Sequence, residues 1–265
     1  MLPTEGAPDP APVGERSGAV RPVIERAHRQ QFERDGFVSI AQPIVGPDEL
    51  DAVRAIVAQL LPRAHGRHVR DLGRGGPDEG EILEIEETTE LAPELRRTAV
   101  FRRCRQLATE LLGTPMAPFY DHIIRKPPHN RAATAWHQDS AYAAVRTLLA
   151  PSAHIWFALQ DVTVDNGCMQ FVPGSHRTPV RHRPRGGDPT ADALEAVEVA
   201  TDAAVACPLP AGGVTIHHPG VLHHTGPNHS DHPRVAWILQ FREEGSWGMR
   251  AMVPGPVRRI VRRRR

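Results

Sequence analysis

Trp136-His137-Gln138-Asp139-Ser140 is the stretch that decides what kind of molecule this is. Side chains on a strand alternate with a period of two, so a His-x-Asp spacing puts both on one face. An imidazole and a carboxylate on the same face reach a single metal ion. Alone the pattern is weak, because His-x-Asp also occurs as a surface hydrogen-bonded pair.

A second cluster adds weight. Gly213-Val214-Thr215-Ile216-His217-His218-Pro219-Gly220-Val221-Leu222-His223-His224-Thr225-Gly226-Pro227-Asn228 carries four histidines, each chemically able to ligate a metal. One of them would complete a set of two histidines and one carboxylate. That set occupies one face of iron(II) and leaves positions open for a co-substrate and O2. Arg234 follows His223 by 11 residues. An arginine there suits the far carboxylate of a dicarboxylate, gripped by a bidentate, charge-assisted pair.

Outward from these blocks, the chain reads as helices followed by strands. Residues 1–21 are rich in Pro, Ala and Gly without periodicity, which predicts a disordered leader. Helices are expected over Val23–Phe32, from Gly46-Pro47-Asp48-Glu49 onward, and over Pro93–Leu112. Residues 63–80 read as loop. Strands are expected at Phe37–Ile40, Phe119–Ile124, Ala153–Val162, Cys168–Val172, Val214–His217 and Val235–Phe241, with a tight turn at Asn166-Gly167. Helices before a run of strands suggest helices packed on an antiparallel sandwich or barrel. The arginine-rich segment 177–200 is an insertion, either a functional loop or a disordered one. One domain is expected over 22–256, followed by a basic tail, 257–265, with six arginines among its residues.

Composition narrows the classes. The 265 residues are 40% apolar, enough for a core. No apolar run approaches transmembrane length, so no membrane partner is expected, and the N-terminus reads as lacking a secretory signal. Net charge is +1, and without the six tail arginines it is −5, so nothing argues for nucleic acid. Cys104, Cys168 and Cys207 are too scattered for a disulfide framework or zinc ribbon, and a cytoplasmic location is expected. Lys126 is the one lysine among 32 basic residues, and six of 15 histidines fall between His217 and His232.

His137-Gln138-Asp139, Asp165-Asn166-Gly167-Cys168, Phe171-Val172-Pro173-Gly174-Ser175-His176, His218-Pro219, His223, Asn228 and Arg234 occur in an order that resembles the phytanoyl-CoA dioxygenase family. Gln31-Phe32-Glu33-Arg34-Asp35-Gly36-Phe37 looks like the family's opening helix and strand, so the resemblance spans roughly 28–243. It implies a double-stranded β-helix, a cupin-like jelly roll with N-terminal helices. It also implies an oxygenase dependent on Fe(II) and 2-oxoglutarate that consumes O2 and releases succinate and CO2.

Carried over residue by residue, the resemblance makes His137, Asp139 and His223 the catalytic iron ligands, with His224 the next choice for the third. Arg234 would bind the 2-oxoglutarate C5 carboxylate, Thr225 would support that arginine, and Trp156 and Lys126 would face the co-substrate. His218 and His176 read as structural, His229 and His232 as loop residues. Tyr142, the loop 143–152 and the arginines of 177–189 are candidate contacts to a small-molecule substrate, acidic or carrier-linked. Asp139 stands where related halogenases carry a small residue, which favours hydroxylation of an aliphatic carbon, and a secondary-metabolite tailoring step is expected. Two alternatives stand beside this: a cupin-like metalloenzyme without 2-oxoglutarate, and a non-catalytic binding protein on the same fold.

Overall fold

The computed structural model describes residues 24–74, 80–142 and 150–246. The expected leader 1–21, most of the loop 143–152 and the tail 257–265 lie outside them. In chain order the elements are α1 (Arg26–Asp35), β1 (Phe37–Ile40), α2 (Pro47–Leu60), β2 (Val69–Asp71), β3 (Leu83–Glu86), α3 (Thr88–Leu91), α4 (Ala99–Leu112), β4 (Met116–Lys126), β5 (Thr134–His137) and β6 (Ser152–Ala158). There follow β7 (Met169–Phe171), β8 (His182–Pro184), β9 (Leu194–Ala196), β10 (Val205–Cys207), β11 (Val214–His217), β12 (His223–Thr225) and β13 (Arg234–Glu243).

The strands form a large sheet ordered β1-β11-β6-β13-β4-β3-β2, a small sheet ordered β10-β7-β12-β5, and the hairpin β8-β9. Every pairing in them is antiparallel. This is the jelly-roll arrangement with helices at the front of the chain.

Alternation divides the large sheet into two faces. Ile123, Ile155, Phe157, Trp237 and Leu239 pack with Val100, Cys104 and Leu107 of α4 to form the outer core. Phe37, Trp156, Ala236 and Ile238 face inward, against Met169 and Phe171 of the small sheet. Phe37 and Phe171 stack at 4.5 Å and join the sheets. The inner face also carries polar residues, and these make the site.

Helix ends follow from local chemistry. Gly36 ends α1 with φ +84°, and its N–H donates to the Phe32 carbonyl. A Cβ there would stand 2.5 Å from His176 Nδ1, so glycine is required both by conformation and by space. Thr98 Oγ1 accepts from Phe101 N at 3.2 Å and caps α4.

Several expectations are corrected. α1 begins at Arg26, not Val23, because Glu25 takes the capping position. The helix expected from Pro93 splits into a 3-10 turn, Pro93–Arg97, and α4, since Thr98 adopts extended backbone in order to cap. The 63–80 loop contains β2, an edge strand paired with β3. β4 runs eleven residues rather than six. β5 ends at His137, and Asp139 opens a 3-10 turn rather than continuing the strand. The 177–200 insertion is ordered: it holds β8 and β9, and His182 Nε2 accepts from Gln138 N at 3.0 Å beside the His-x-Asp segment.

Candidate metal and co-substrate site

His137 closes β5 and His223 opens β12, and the two are direct cross-strand partners. Their rings lie 4.2 Å apart. His137 Nε2 is 3.4 Å and His223 Nε2 3.6 Å from Asp139 Oδ1. His137 Nδ1 donates to the Ala135 carbonyl at 2.8 Å and His223 Nδ1 to the Val221 carbonyl at 2.9 Å. A carbonyl only accepts, so each Nδ1 carries the proton and each Nε2 presents a lone pair toward Asp139. This is the tautomer a metal needs. Burial holds His223 well below the usual imidazole range. Burial opposes ionisation of Asp139, but His223 and the hydrogen bonds from His154 and His217 outweigh it and hold the carboxyl well below its usual range.

The other carboxylate oxygen faces the large sheet. His154 Nδ1 lies 2.6 Å and His217 Nε2 3.2 Å from Asp139 Oδ2. The carboxylate accepts, so both rings donate. Two groups of side chains therefore have metal-like proximity, His137–Asp139–His223 and Asp139–His154–His217, sharing one aspartate. In the second, ring protons point at the carboxylate. The first presents lone pairs, and it is the group that could hold a metal.

The four-histidine cluster resolves by direction. His224 turns to the opposite side of β12, where Nδ1 donates to the Thr134 carbonyl at 2.8 Å and the ring stacks on Trp136 at 4.8 Å. His218 Nδ1 accepts from Gly220 N at 2.9 Å and shapes the turn into β12. His176 packs against Gly36 and His218, away from the triad. The backbone of His229 donates to the Asp165 carbonyl, and the His232 carbonyl accepts from Asn228.

A second constellation stands at one end of β13. Arg234 pairs with Lys126 across β13 and β4, and both are buried. Lys126 Nζ donates to the carbonyls of Thr225, at 2.9 Å, and Gly226. That leaves one of its three donors. Arg234 Nη2 donates to Thr225 Oγ1 at 3.4 Å, and the Thr225 hydroxyl donates to Thr134. The guanidinium carbon sits 5.4 Å from the centre of the Trp156 ring. Arg234 Nε and Nη1 are buried with no hydrogen-bond partner among the described residues. Burial drives Lys126 well below the usual lysine range, with Arg234 and Arg185 adding to it, and burial takes Arg234 down to about 10. No acid among the described residues pairs with either cation. Two buried cations with spare donors call for an anion.

Tyr142 ends the turn that Asp139 opens and meets His137 edge-on, at 5.9 Å between ring centres. Its hydroxyl accepts from Leu194 N at 2.7 Å, which ties the turn to β9. Of the insertion's arginines, Arg177, Arg181 and Arg183 are exposed and only Arg185 is buried. Arg177 donates to the Glu33 carbonyl, Arg181 and Arg183 pair with Glu198 and Glu195, and Arg185 is buried on the carbonyls of Leu72 and Ala133.

His154 had no role in the sequence reading. A lone histidine in the apolar run Ala153–Ala158 gives little signal, although its place two residues before Trp156 puts both on the inner face.

The family model for phytanoyl-CoA dioxygenase matches residues 32–236. The chain belongs to the phytanoyl-CoA dioxygenase family. Phytanoyl-CoA dioxygenase domain-containing protein 1 of Mus musculus is 32% identical over 125 residues, covering 45% of this chain. That stretch is 43% of the mouse protein, so this chain matches less than half the length of that curated relative. EvdO2 of Micromonospora carbonacea var. aurantiaca, solved in complex with 2-oxoglutarate, is 29% identical with a TM-score of 0.71, covering 85% of this chain and 93% of that one. The epimerase SnoN, solved with Fe3+, α-ketoglutarate and nogalamycin RO, is 26% identical with a TM-score of 0.65, covering 82% of each chain. Phytanoyl-CoA dioxygenase family membership agrees with the donor chemistry. The His137–Asp139–His223 set suits iron(II), and the unspent donors of Arg234 and Lys126 suit the carboxylates of 2-oxoglutarate.

Proposed function

We propose that this protein is an Fe(II)- and 2-oxoglutarate-dependent dioxygenase that hydroxylates an aliphatic carbon of a small molecule. The observation that carries the reading is the pairing of two unpartnered buried features: lone pairs converging from His137 and His223 on Asp139, and the orphaned N–H groups of Arg234.

His137, Asp139 and His223 would hold the metal. Arg234 and Lys126 would hold the co-substrate by its carboxylates. Iron(II) with 2-oxoglutarate supplies the activation of O2 that oxidises an unactivated C–H bond, with release of succinate and CO2. The chain's own work is positional. Ala135 and Val221 fix the imidazole tautomers, and His154 and His217 fix the free oxygen of Asp139. Thr225 sets the plane of the Arg234 guanidinium. Trp156 covers that guanidinium with an apolar face, which keeps water from competing for its donors.

A natural-product tailoring step fits the reading, since SnoN is named for nogalamycin biosynthesis. No helix of the described residues is long and apolar enough to cross a membrane.

The test is anaerobic. Iron(II) and then 2-oxoglutarate are added to the apo-protein, and the visible charge-transfer band of the chelate is followed, with Arg234→Ala as control. A band that the control weakens supports the reading. Iron binding without a band turns it toward a cupin-like metalloenzyme that uses no 2-oxoglutarate, and absence of iron binding rejects the triad. Product analysis with a turned-over substrate then separates hydroxylation from epimerisation.

A further inference from the structure

Gln138 stands between His137 and Asp139 and is only 2% exposed. Its side-chain amide is spent on backbone groups from two separate segments. Nε2 donates to the Gly220 carbonyl at 2.7 Å and to the Thr178 carbonyl at 3.0 Å, with the Ser175 carbonyl at 3.4 Å. Oε1 accepts from Val180 N at 3.0 Å. Carbonyls at one end and an N–H at the other fix which way the amide lies. The backbone adds a further tie. Gln138 N donates to His182 Nε2 at 3.0 Å, and His182 Nδ1 donates to the Val180 carbonyl at 3.0 Å, which holds that ring in the accepting tautomer. The two segments are also bonded to each other and to the turn of Asp139. Ser175 Oγ accepts at 2.8 Å from the N–H of Leu222, the residue before His223. Ser140 N donates to the Pro219 carbonyl at 2.9 Å.

We propose that Gln138 is a positioning residue for the metal centre, holding the turn of Asp139 against the turn before His223 and tying both to residues 175–182, so that metal binding and the order of the 177–200 insertion are coupled. This rests on the His137–Asp139–His223 triad of the dioxygenase reading above. The ladder between β5 and β12 sets His137 against His223, but β5 stops at His137, so that ladder does not place Asp139. Gln138 and Ser140, on either side of Asp139, make that connection through Gly220 and Pro219. Ligands must be held to within about 0.5 Å of a productive geometry, and fixed neighbours do this. The side chain has to donate and accept at once. A carboxylate would turn acceptors toward the carbonyls of Gly220 and Thr178, and a thioether would leave those carbonyls and Val180 N without a strong partner. Coupling runs both ways. What a metal fixes at 137–139 it also fixes at 178–182, and loosening 178–182 loosens the metal.

The experiment uses the full chain with cobalt(II) as the probe, because its visible bands report the geometry of its ligands and no co-substrate is needed. Wild type, Gln138→Met and Gln138→Glu are titrated, and hydrogen exchange across 175–185 is measured with and without the metal. Outer-shell partners of metal ligands are typically worth 10–100-fold in affinity, so both variants should bind cobalt at least tenfold more weakly, with shifted bands at saturation. Cobalt should slow exchange across 178–182 in wild type and lose that effect in Gln138→Met. A glutamine that served stability alone would lower Tm in the variants and leave the bands and affinity of the folded protein as in wild type. That result would overturn the proposal, as would exchange across 178–182 that cobalt does not slow in wild type. If circular dichroism shows that neither variant folds, His182→Ala removes the single tie to the Gln138 backbone and carries the same comparison, with the same outcomes. Wild-type protein that binds no cobalt is a different failure: it rejects the triad itself, and the proposal with it.

Discussion

His154 Nδ1 lies 2.6 Å from Asp139 Oδ2, across the gap between the two sheets. Asp139 thus faces the small sheet with one oxygen, toward His137 and His223, and the large sheet with the other, toward His154 and His217. The large sheet dictates which oxygen is left for a metal.

Replacing His154 by Ala should free the carboxylate to rotate. Outer-shell partners of metal ligands are typically worth 10–100-fold in metal affinity, so H154A should lose iron(II) affinity in that range while keeping its fold. Anaerobic iron titration, with circular dichroism as the check on folding, measures this. Affinity equal to wild type would make the hydrogen bond incidental.

Arg234→Ala should act on the co-substrate and spare the metal. Truncating one partner of a buried charged pair costs about 2 kcal/mol or more, a rise of roughly thirtyfold in the 2-oxoglutarate KM. The rise in Tm that 2-oxoglutarate gives the iron-loaded protein should shrink with it. An unchanged KM with normal iron content would remove Arg234 from the role.

Glu84 sets a pH signature for the metal-free protein. Burial raises its carboxyl to about 7 from an ordinary 4.5. The folded state then binds more protons than the unfolded state between those values, so this group's contribution to stability falls as pH rises through that window and is level above it. Glu84→Gln removes the fall. The variant should be more stable than wild type at pH 8, by something on the order of 3 kcal/mol or less, and the difference should close below pH 5. Melting curves at the two pH values decide it, and a gain that is the same at both would rule out this origin.

Arg185 anchors the 177–200 segment through the carbonyls of Leu72 and Ala133. Arg185→Met keeps the length and removes the donors, stranding two buried acceptors at about 1–3 kcal/mol each. Limited proteolysis should then cut within 177–200 faster than in wild type. Equal cutting would mean that β8 and β9 hold the segment alone.

The sequence carried the site unevenly. His137, Asp139 and Arg234 are legible because metal ligation and dicarboxylate binding demand particular residue types in a particular order. His223 could not be told from its three neighbours by chemistry. Only the pairing of β12 with β5 turns it inward, while His224 goes to the other side. The β2–β3 edge was missed for a different reason. Leu83-Glu84-Ile85-Glu86 alternates as a strand should, but its glutamates are on the inner face and buried. A reading that expects apolar side chains inside and charged ones outside reads such a strand backwards. The break at Thr98 was hidden because the apolar positions of the 3-10 turn and of α4 run on without a gap in spacing.

β5 and β12, the strands of the small sheet that hold His137 and His223, are four and three residues long, whereas β4 and β13, which hold Lys126 and Arg234, are eleven and ten. Short ladders open more readily than long ones. The two halves of the site therefore stand on ground of unequal firmness. In the metal-free protein, amide protons of β5 and β12 should exchange with solvent well before those of β13. Loading iron should slow the first group and leave the second nearly untouched, so the cofactor would act on this molecule as a rivet at the weaker wall.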